Sequence, residues 1–206
     1  MNSTELRTMV TAADARVRAR SADELVRAAA DRGGLIDVAV GTVGSPVGEL
    51  FVAVTPKGLA CVGFDDQDRA ALEDRFADDL SPRVVASARA TDDVRRQLDE
   101  YFGGERRRFD IGIDHRLMSP FVRKVMAQTA KVAFGEVSTY GAVAKGIHHP
   151  EAARAVGAAL GQNPIPIVLP CHRIIGASGN LTGYAGGLHR KEFLLRLEGD
   201  PMLFPG

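Results

Sequence analysis

Asn163-Pro164-Ile165-Pro166-Ile167-Val168-Leu169-Pro170-Cys171-His172-Arg173-Ile174-Ile175 is the stretch from which the rest of the chain is read. Its three prolines exclude a helix. Pro170 has no backbone N–H and a fixed φ, so the chain should enter Cys171 stiff and extended. The expectation is a buried, ribbon-like approach that presents Cys171 at the mouth of a pocket, with His172 directly after it. A thiol held beside an imidazole is a nucleophile candidate. A single cysteine is just as readily a small buried hydrophobe, so the flanking sequence has to decide.

On the C-terminal side, a glycine-rich loop over 176–187 leads to a helix over 188–198. Glu198 falls in its last turn, where a carboxylate opposes the helix dipole, and such a placement favours a specific partner. On the N-terminal side, Ser119-Pro120 is an N-cap and N1 pair that opens a helix over 119–133. Phe121, Val125, Met126 and Thr129 should face inward. Gly135-Glu136-Val137 is a connector. Ser138-Thr139 caps a short helix over 140–145, Gly146 to His149 make a turn, and Pro150 opens a helix over 150–161. Two short helices joined by a tight turn are either helix-turn-helix geometry or simply two packed helices. In the second helix Arg154 is the one basic residue. It stands among Ala152, Ala153, Ala155, Gly157, Ala158 and Ala159, which leave that face nearly flat.

Earlier in the chain the apolar period changes to two. Strands are expected in 36–40, 50–54 and 59–64, with turns at Gly44–Gly48 and Pro56-Lys57-Gly58, giving a three-stranded antiparallel meander. Cys61 lies in the third strand and reads as core filler. A helix over 67–79 uses Ala70, Leu72 and Phe76 as its apolar positions. Val84-Val85 adds a short strand, 91–102 is a further helix, and 106–113 is a linker strand. Residues 1–34 read as a helical extension, with a capping box at Ser21 to Glu24 and Gly33-Gly34 at its end. The fold class is therefore α+β: an antiparallel sheet with helices over 35–114, then a helical domain over 115–206 that holds the cysteine and the helix-turn-helix.

The 206 residues are 45% hydrophobic and carry a formal net charge of +0. That zero conceals a split. Residues 1–114 hold 16 Lys and Arg against 21 Asp and Glu, whereas 115–198 hold 10 against 4. A basic second half suits a polyanionic partner. Only two cysteines exist, Cys61 and Cys171, too few for a disulfide framework or a zinc cluster. They imply a reducing, cytoplasmic setting. No apolar run approaches the length of a membrane span, so no membrane partner is expected.

Pro170-Cys171-His172-Arg173-Ile174-Ile175 with Asn163-Pro164-Ile165-Pro166 resembles the active-site signature of the O6-alkylguanine-DNA alkyltransferases. So do Thr182-Gly183-Tyr184-Ala185-Gly186-Gly187, the run from Arg190-Lys191-Glu192 to Glu198-Gly199, Phe134-Gly135-Glu136-Val137-Ser138-Thr139-Tyr140 and Ala152-Ala153-Arg154-Ala155-Val156-Gly157. The resemblance spans 36–199 and is densest from 119 on. It implies transfer of an alkyl group from guanine O6 in double-stranded DNA to Cys171, once per molecule and by a monomer. No cofactor is needed because the substrate carries the activated carbon, and no metal is expected because the cysteine and histidine pattern of a structural zinc site in some relatives is missing here. The same chemistry could reach O4-alkylthymine.

The residue types fit that chemistry. An alkyl carbon is attacked in line by a soft thiolate, and a free thiol is only slightly ionised at neutral pH, so a base must help. The resemblance implies a Cys171–water–His172 relay, with Glu198 orienting the imidazole. It makes Tyr140 the group that protonates the leaving guanine or hydrogen-bonds its ring. The target atom is inaccessible within a duplex, so the nucleotide must be flipped out. Arg154 is implied to fill the gap in the stack. Ala155, Ser138, Thr139 and Arg173 are implied DNA contacts. Asn163 is the implied hinge, with Pro170, Ile174, Tyr184, Ala185, Gly186 and Lys191 around the substrate pocket. The chain departs from the family pattern in having no tryptophan, in placing Met126 where one often stands, and in having Gly161 where some relatives carry a second arginine. Three other readings remain: a non-enzymatic lesion-binding protein of the same fold, a helix-turn-helix regulator, and a Cys-His-Glu hydrolase.

Overall fold

The computed structural model describes residues 36–199. The helical extension expected over 1–34, with its capping box, and residues 200–206 lie outside that range. Strands β1 (Val38–Val43), β2 (Leu50–Thr55) and β3 (Gly58–Phe64) form the expected antiparallel meander. Helix α1 (Arg69–Asp79) returns the chain to β4 (Val84–Ala86), which pairs parallel to β1, so the sheet order is β3-β2-β1-β4.

Both faces of this sheet are covered, which is why its strands read as near-continuous apolar runs. Phe51, Ala53 and Cys61 pack with Phe76 of α1 on one face. Leu50, Val52 and Leu59 turn to the other, against α2 (Ala88–Phe102) and the helical half of the chain. Ala60 is the extra residue of a bulge, since Ala53 pairs with Cys61 and Val54 with Leu59. A bulge reverses the alternation locally. It lets Leu59 and Val62 share one face while Cys61 goes to the opposite one. In α2, Val94, Gln97, Leu98 and Tyr101 are buried at helical spacing.

Helix α1 begins after Asp68, whose carboxylate caps the Ala70 and Ala71 amides. Ala70 is exposed, so Phe76 and Leu72 carry the inward face. Helix α2 begins three residues earlier than its apolar spacing suggests, because Ser87 caps it by accepting from Ala90 N. The linker strand over 106–113 does not form. Gln97 takes up the Asp110 backbone in both directions, at 2.8 and 3.0 Å. Only Ile113 bridges to Leu59. That bridge lies against Gly58, where φ is +125° and a Cβ would come within 2.1 Å of Gly112 O, so only glycine fits this turn.

The second half contains α3 (Pro120–Thr129), α4 (Tyr140–Gly146), α5 (Ala153–Gly161) and α6 (Leu188–Glu198). Ser119 caps α3 as expected, but the helix stops at Thr129. Val122 is buried in place of Phe121, which is 36% exposed. Helix α5 begins at Ala153, not at Pro150. His148 sits at φ 64° and Ala152 N bonds back to His149 O, so Pro150 belongs to the turn. Two-residue strands β5 (Ser138–Thr139) and β6 (Ile174–Ile175) pair in parallel. One core runs from Val52 and Leu98 through Val125 and Val156 to Ile165, Cys171 and Leu194, joining the two halves.

Candidate active site

The turn that carries Cys171 is organised by Asn163. Its Oδ1 accepts from Ile165 N at 3.0 Å, and its Nδ2 donates to Leu169 O at 2.9 Å and to Cys171 Sγ at 3.1 Å. Leu169 N closes on Ile165 O and Val168 N on Pro166 O, both at 2.9 Å. The expected extended ribbon is therefore a compact turn. Within it the β-branched Ile167 is held at φ 73°, a left-handed conformation that costs about 1–2 kcal/mol. Val62 N donates to Pro164 O at 2.8 Å and fixes the turn to β3. The prolines exclude a helix, but the Asn163 side chain supplies turn bonds that an extended path would forgo.

Cys171 opens a single 3-10 turn, Cys171–Arg173. Cys171 lines a pocket of ≈ 480 Å³ with Tyr140, Leu160, Thr182, Tyr184 and Ala185 among the walls. Gly157 and Gly161 of α5 also line it, and a Cβ at Gly157 would stand 3.6 Å from the Tyr140 ring. Tyr140 OH accepts from Thr182 Oγ1 at 3.0 Å, which ties the start of α4 to the glycine-rich loop. Lys191 Nζ, fully buried, donates to Ile174 O at 2.6 Å and Thr182 O at 2.9 Å. Of the residues expected around the pocket, Tyr184 and Ala185 line it. Asn163, Pro170, Ile174, Gly186 and Lys191 stand behind it and shape the backbone.

The residues that follow Cys171 enter a buried polar cluster around Glu198. His172 is 0% exposed, and its Nε2 lies 3.0 Å from Glu198 Oε1. Its Nδ1 is buried and has no protein partner. Arg173 donates from Nε to Glu198 Oε2 and from Nη2 to Oε1, both at 2.8 Å, and from Nη1 to Val132 O at 2.7 Å. Tyr101 OH, from α2 of the other half, donates to Glu198 Oε1 at 2.7 Å. Arg173 is thus buried and fully engaged, and is not available as a DNA contact. Its guanidinium satisfies the carboxylate bidentately. Tyr101 was not legible from its position at the end of an amphipathic helix.

The charges follow from this packing. Burial pushes Glu198 up, but the His172 and Arg173 hydrogen bonds outweigh it and hold the carboxyl at about 2. Burial lowers His172 against the opposing pull of Glu198, so the ring is neutral at pH 7. Burial raises Cys171 to about 11, against the Asn163 hydrogen bond and the nearby Lys191 charge. Burial lowers Lys191 to about 8. The resting site is therefore a neutral thiol, a neutral imidazole and a preformed carboxylate. Such a set can move one proton from sulfur to ring when a reaction calls for it.

Of the other residues expected to contact DNA, two are exposed and two half-buried. Arg154 and Ala155 are exposed in the first turns of α5. Ser138 and Thr139 are half-buried, and Thr139 Oγ1 caps α4 by accepting from Ala142 N at 3.1 Å. Among the described residues, no group of His, Cys, Asp and Glu could hold a metal ion. Among them, too, no helix is long and apolar enough to cross a membrane.

Two family models match the chain in succession: 6-O-methylguanine DNA methyltransferase, ribonuclease-like domain, over residues 38–115, and 6-O-methylguanine DNA methyltransferase, DNA binding domain, over 120–200. A methylated-DNA–protein-cysteine methyltransferase of Methanosarcina acetivorans is 40% identical over 76% of this chain and 95% of its own length. One from Mycolicibacterium paratuberculosis is 45% identical over 76% and 90%. The crystal structure of Mycobacterium tuberculosis OGT in complex with DNA is 37% identical, with a TM-score of 0.69 over 81% of this chain and 99% of that one.

Proposed function

This chain belongs to the 6-O-methylguanine-DNA methyltransferase family, and from that membership we propose the residues by which it acts. It is a DNA-repair protein that transfers an alkyl group from O6-alkylguanine to a cysteine. Cys171 is the acceptor. The observation that carries this is a pocket lined by Cys171, whose sulfur is hydrogen-bonded by Asn163, with the next residue, His172, buried and paired to Glu198.

The Cys171 proton leaves through a bridging water to His172 Nδ1, the ring nitrogen without a protein partner. Glu198 stabilises the imidazolium that forms, as the carboxylate does in a hydrolase triad. The thiolate attacks the alkyl carbon, a C–S bond forms, and the C–O6 bond breaks with its electron pair going to the guanine. Tyr140 OH, held by Thr182, delivers a proton to the leaving base or hydrogen-bonds it. The thioether is stable, so each molecule acts once. The lesion reaches the pocket as a flipped nucleotide, with Arg154 in the vacated stack and α4–α5 as the helix-turn-helix against the duplex. Contacts to phosphate dominate affinity. We extend the same scheme to O4-alkylthymine, a monomer and a cytoplasmic setting.

Incubation with alkylated duplex DNA, followed by mass measurement of the tryptic peptide holding Cys171, tests the assignment. The expected result is a gain of one alkyl group on that peptide. An unmodified peptide after DNA turnover would remove Cys171 from the mechanism.

A further inference from the structure

Arg190 is 5% exposed, and it reaches from α6 to residues of the sheet half of the molecule. Its Nε donates to Val47 O at 2.9 Å. Its Nη1 donates to Gly186 O and to Asp66 Oδ2, each at 2.9 Å, and Nη2 pairs with Asp65 Oδ1. The guanidinium plane lies 4.7 Å from the centre of the Phe64 ring. Phe64, the last residue of β3, meets Tyr184 edge-on at 6.1 Å. A Cβ on Gly186 would fall 2.5 Å from the Phe64 ring, so the loop passes as close to Phe64 as a backbone can.

These contacts bear on one wall of the pocket. The 182–187 loop is tied to the helical half at its start, through Thr182 to Lys191 and Tyr140. Its far end has a different support. Tyr184 OH is buried and has no protein hydrogen-bond partner, so packing fixes the ring, and Phe64 is the aromatic group against it. Arg190 in turn fixes Phe64 and Gly186 together. Asp65 and Asp66 are 45% and 59% exposed at their side chains, so their ion pairs contribute little. The two carbonyls and the stacked ring matter more. A lysine could not replace the planar fork that reaches all of them.

We propose that Arg190 and Phe64 form a clamp through which the N-terminal half positions the Tyr184 wall and so sets the alkyl-size preference of the Cys171 pocket. The inference rests on the alkyl-transfer reading above. Neither residue touches the substrate; both act through Tyr184. A firm wall holds a small methyl lesion in line with the sulfur, and a slack one leaves it room to misalign. A bulky group fills the pocket and is held by its own contacts.

The test uses the full chain with Arg190→Met, which keeps the stem and removes the fork, and Phe64→Leu, which keeps apolar bulk and removes the ring. Single-turnover transfer is measured on duplex DNA bearing O6-methylguanine or O6-benzylguanine, alongside duplex affinity and thermal unfolding. Methyl transfer should slow about tenfold, a misplacement effect, while benzyl transfer and duplex affinity stay close to those of the parent. The benzyl-to-methyl ratio should rise in both variants. An unmoved ratio in cooperatively folded Phe64→Leu protein overturns the clamp, and does so whether or not Arg190→Met folds. If the parent protein transfers neither group, the activity reading itself fails, and the clamp with it.

Discussion

Cys61 and Cys171 are both buried, both free and both part of the apolar core. Burial raises the first to about 12 and the second to about 11. By depth and acidity they are nearly the same residue. Their surroundings differ. Cys61 sits on a strand face among Phe51, Ala53 and Phe76, with only the distant charge of Arg75 acting on it. Cys171 has an amide donor on its sulfur, the Lys191 charge acting on it, a buried imidazole–carboxylate pair beginning at the next residue and a pocket of ≈ 480 Å³ that it lines. What sets Cys171 apart is its amide donor, its paired neighbour and its pocket, since burial raises both thiols alike.

The strongest way to break this comparison is to exchange the outcomes. Cys171→Ser should abolish alkyl transfer and leave duplex binding unchanged, whereas Cys61→Ala should transfer at the parental rate and lose only about 1–2 kcal/mol of stability. Transfer measured by peptide mass, with unfolding in urea, checks both. If Cys61→Ala also lost transfer, the contrast between the two sites would collapse.

Removing the proton acceptor's support should be the next largest effect. Glu198→Gln should slow transfer about 10²-fold, the usual scale for general base support. Its sign in pH is also fixed. Glu198 lies at about 2 in the folded protein against 4.5 normally, so its stabilisation is full above pH 4.5 and is lost as pH falls toward 2. His172, also lowered, adds a loss that begins as pH falls below 6.5. Acid unfolding of Glu198→Gln should therefore be shallower than that of the parent between pH 4.5 and 2.

A smaller change is expected for Tyr101→Phe. It deletes one donor to Glu198 and keeps the ring packed among Phe102, Phe109 and Phe134. A charge-assisted hydrogen bond of about 1.5–3 kcal/mol is lost, partly offset by the remaining Arg173 contacts. The carboxylate then pulls harder on the imidazole, which burial holds below its ordinary range in the parent, and the acid limb of the pH–rate profile should move upward. An unchanged limb would mean that Tyr101 is packing alone. The smallest effect concerns thiol labelling. At pH 8 both cysteines should react slowly with iodoacetamide, Cys171 faster than Cys61 because the pocket it lines is ≈ 480 Å³ against ≈ 130 Å³ beside Cys61. Equal rates would deny that difference in access.

The meander, the four later helices and the position of Cys171 were legible because each rests on local signals: alternating apolar residues, Ser119-Pro120, Thr139 and glycines at turns. The edge strand's parallel pairing to β1 was not, since register between distant segments leaves no local mark. The path into Cys171 was misread for a specific reason. Proline chemistry is visible in a sequence, but the three hydrogen bonds of one Asn163 side chain are not. Tyr101 and Arg190 were missed because each works across about a hundred residues or more of chain, on Glu198 and on Val47. Arg173 was misassigned because basic charge reads as surface until its carboxylate partner is known.

The two-residue ladder between Ser138-Thr139 and Ile174-Ile175 joins the residue that caps α4 to the strand that leaves the Cys171 turn. Those four residues are joined main chain to main chain, so the start of α4 and the exit from the Cys171 turn are tied by backbone pairing that does not depend on which side chains the two strands carry.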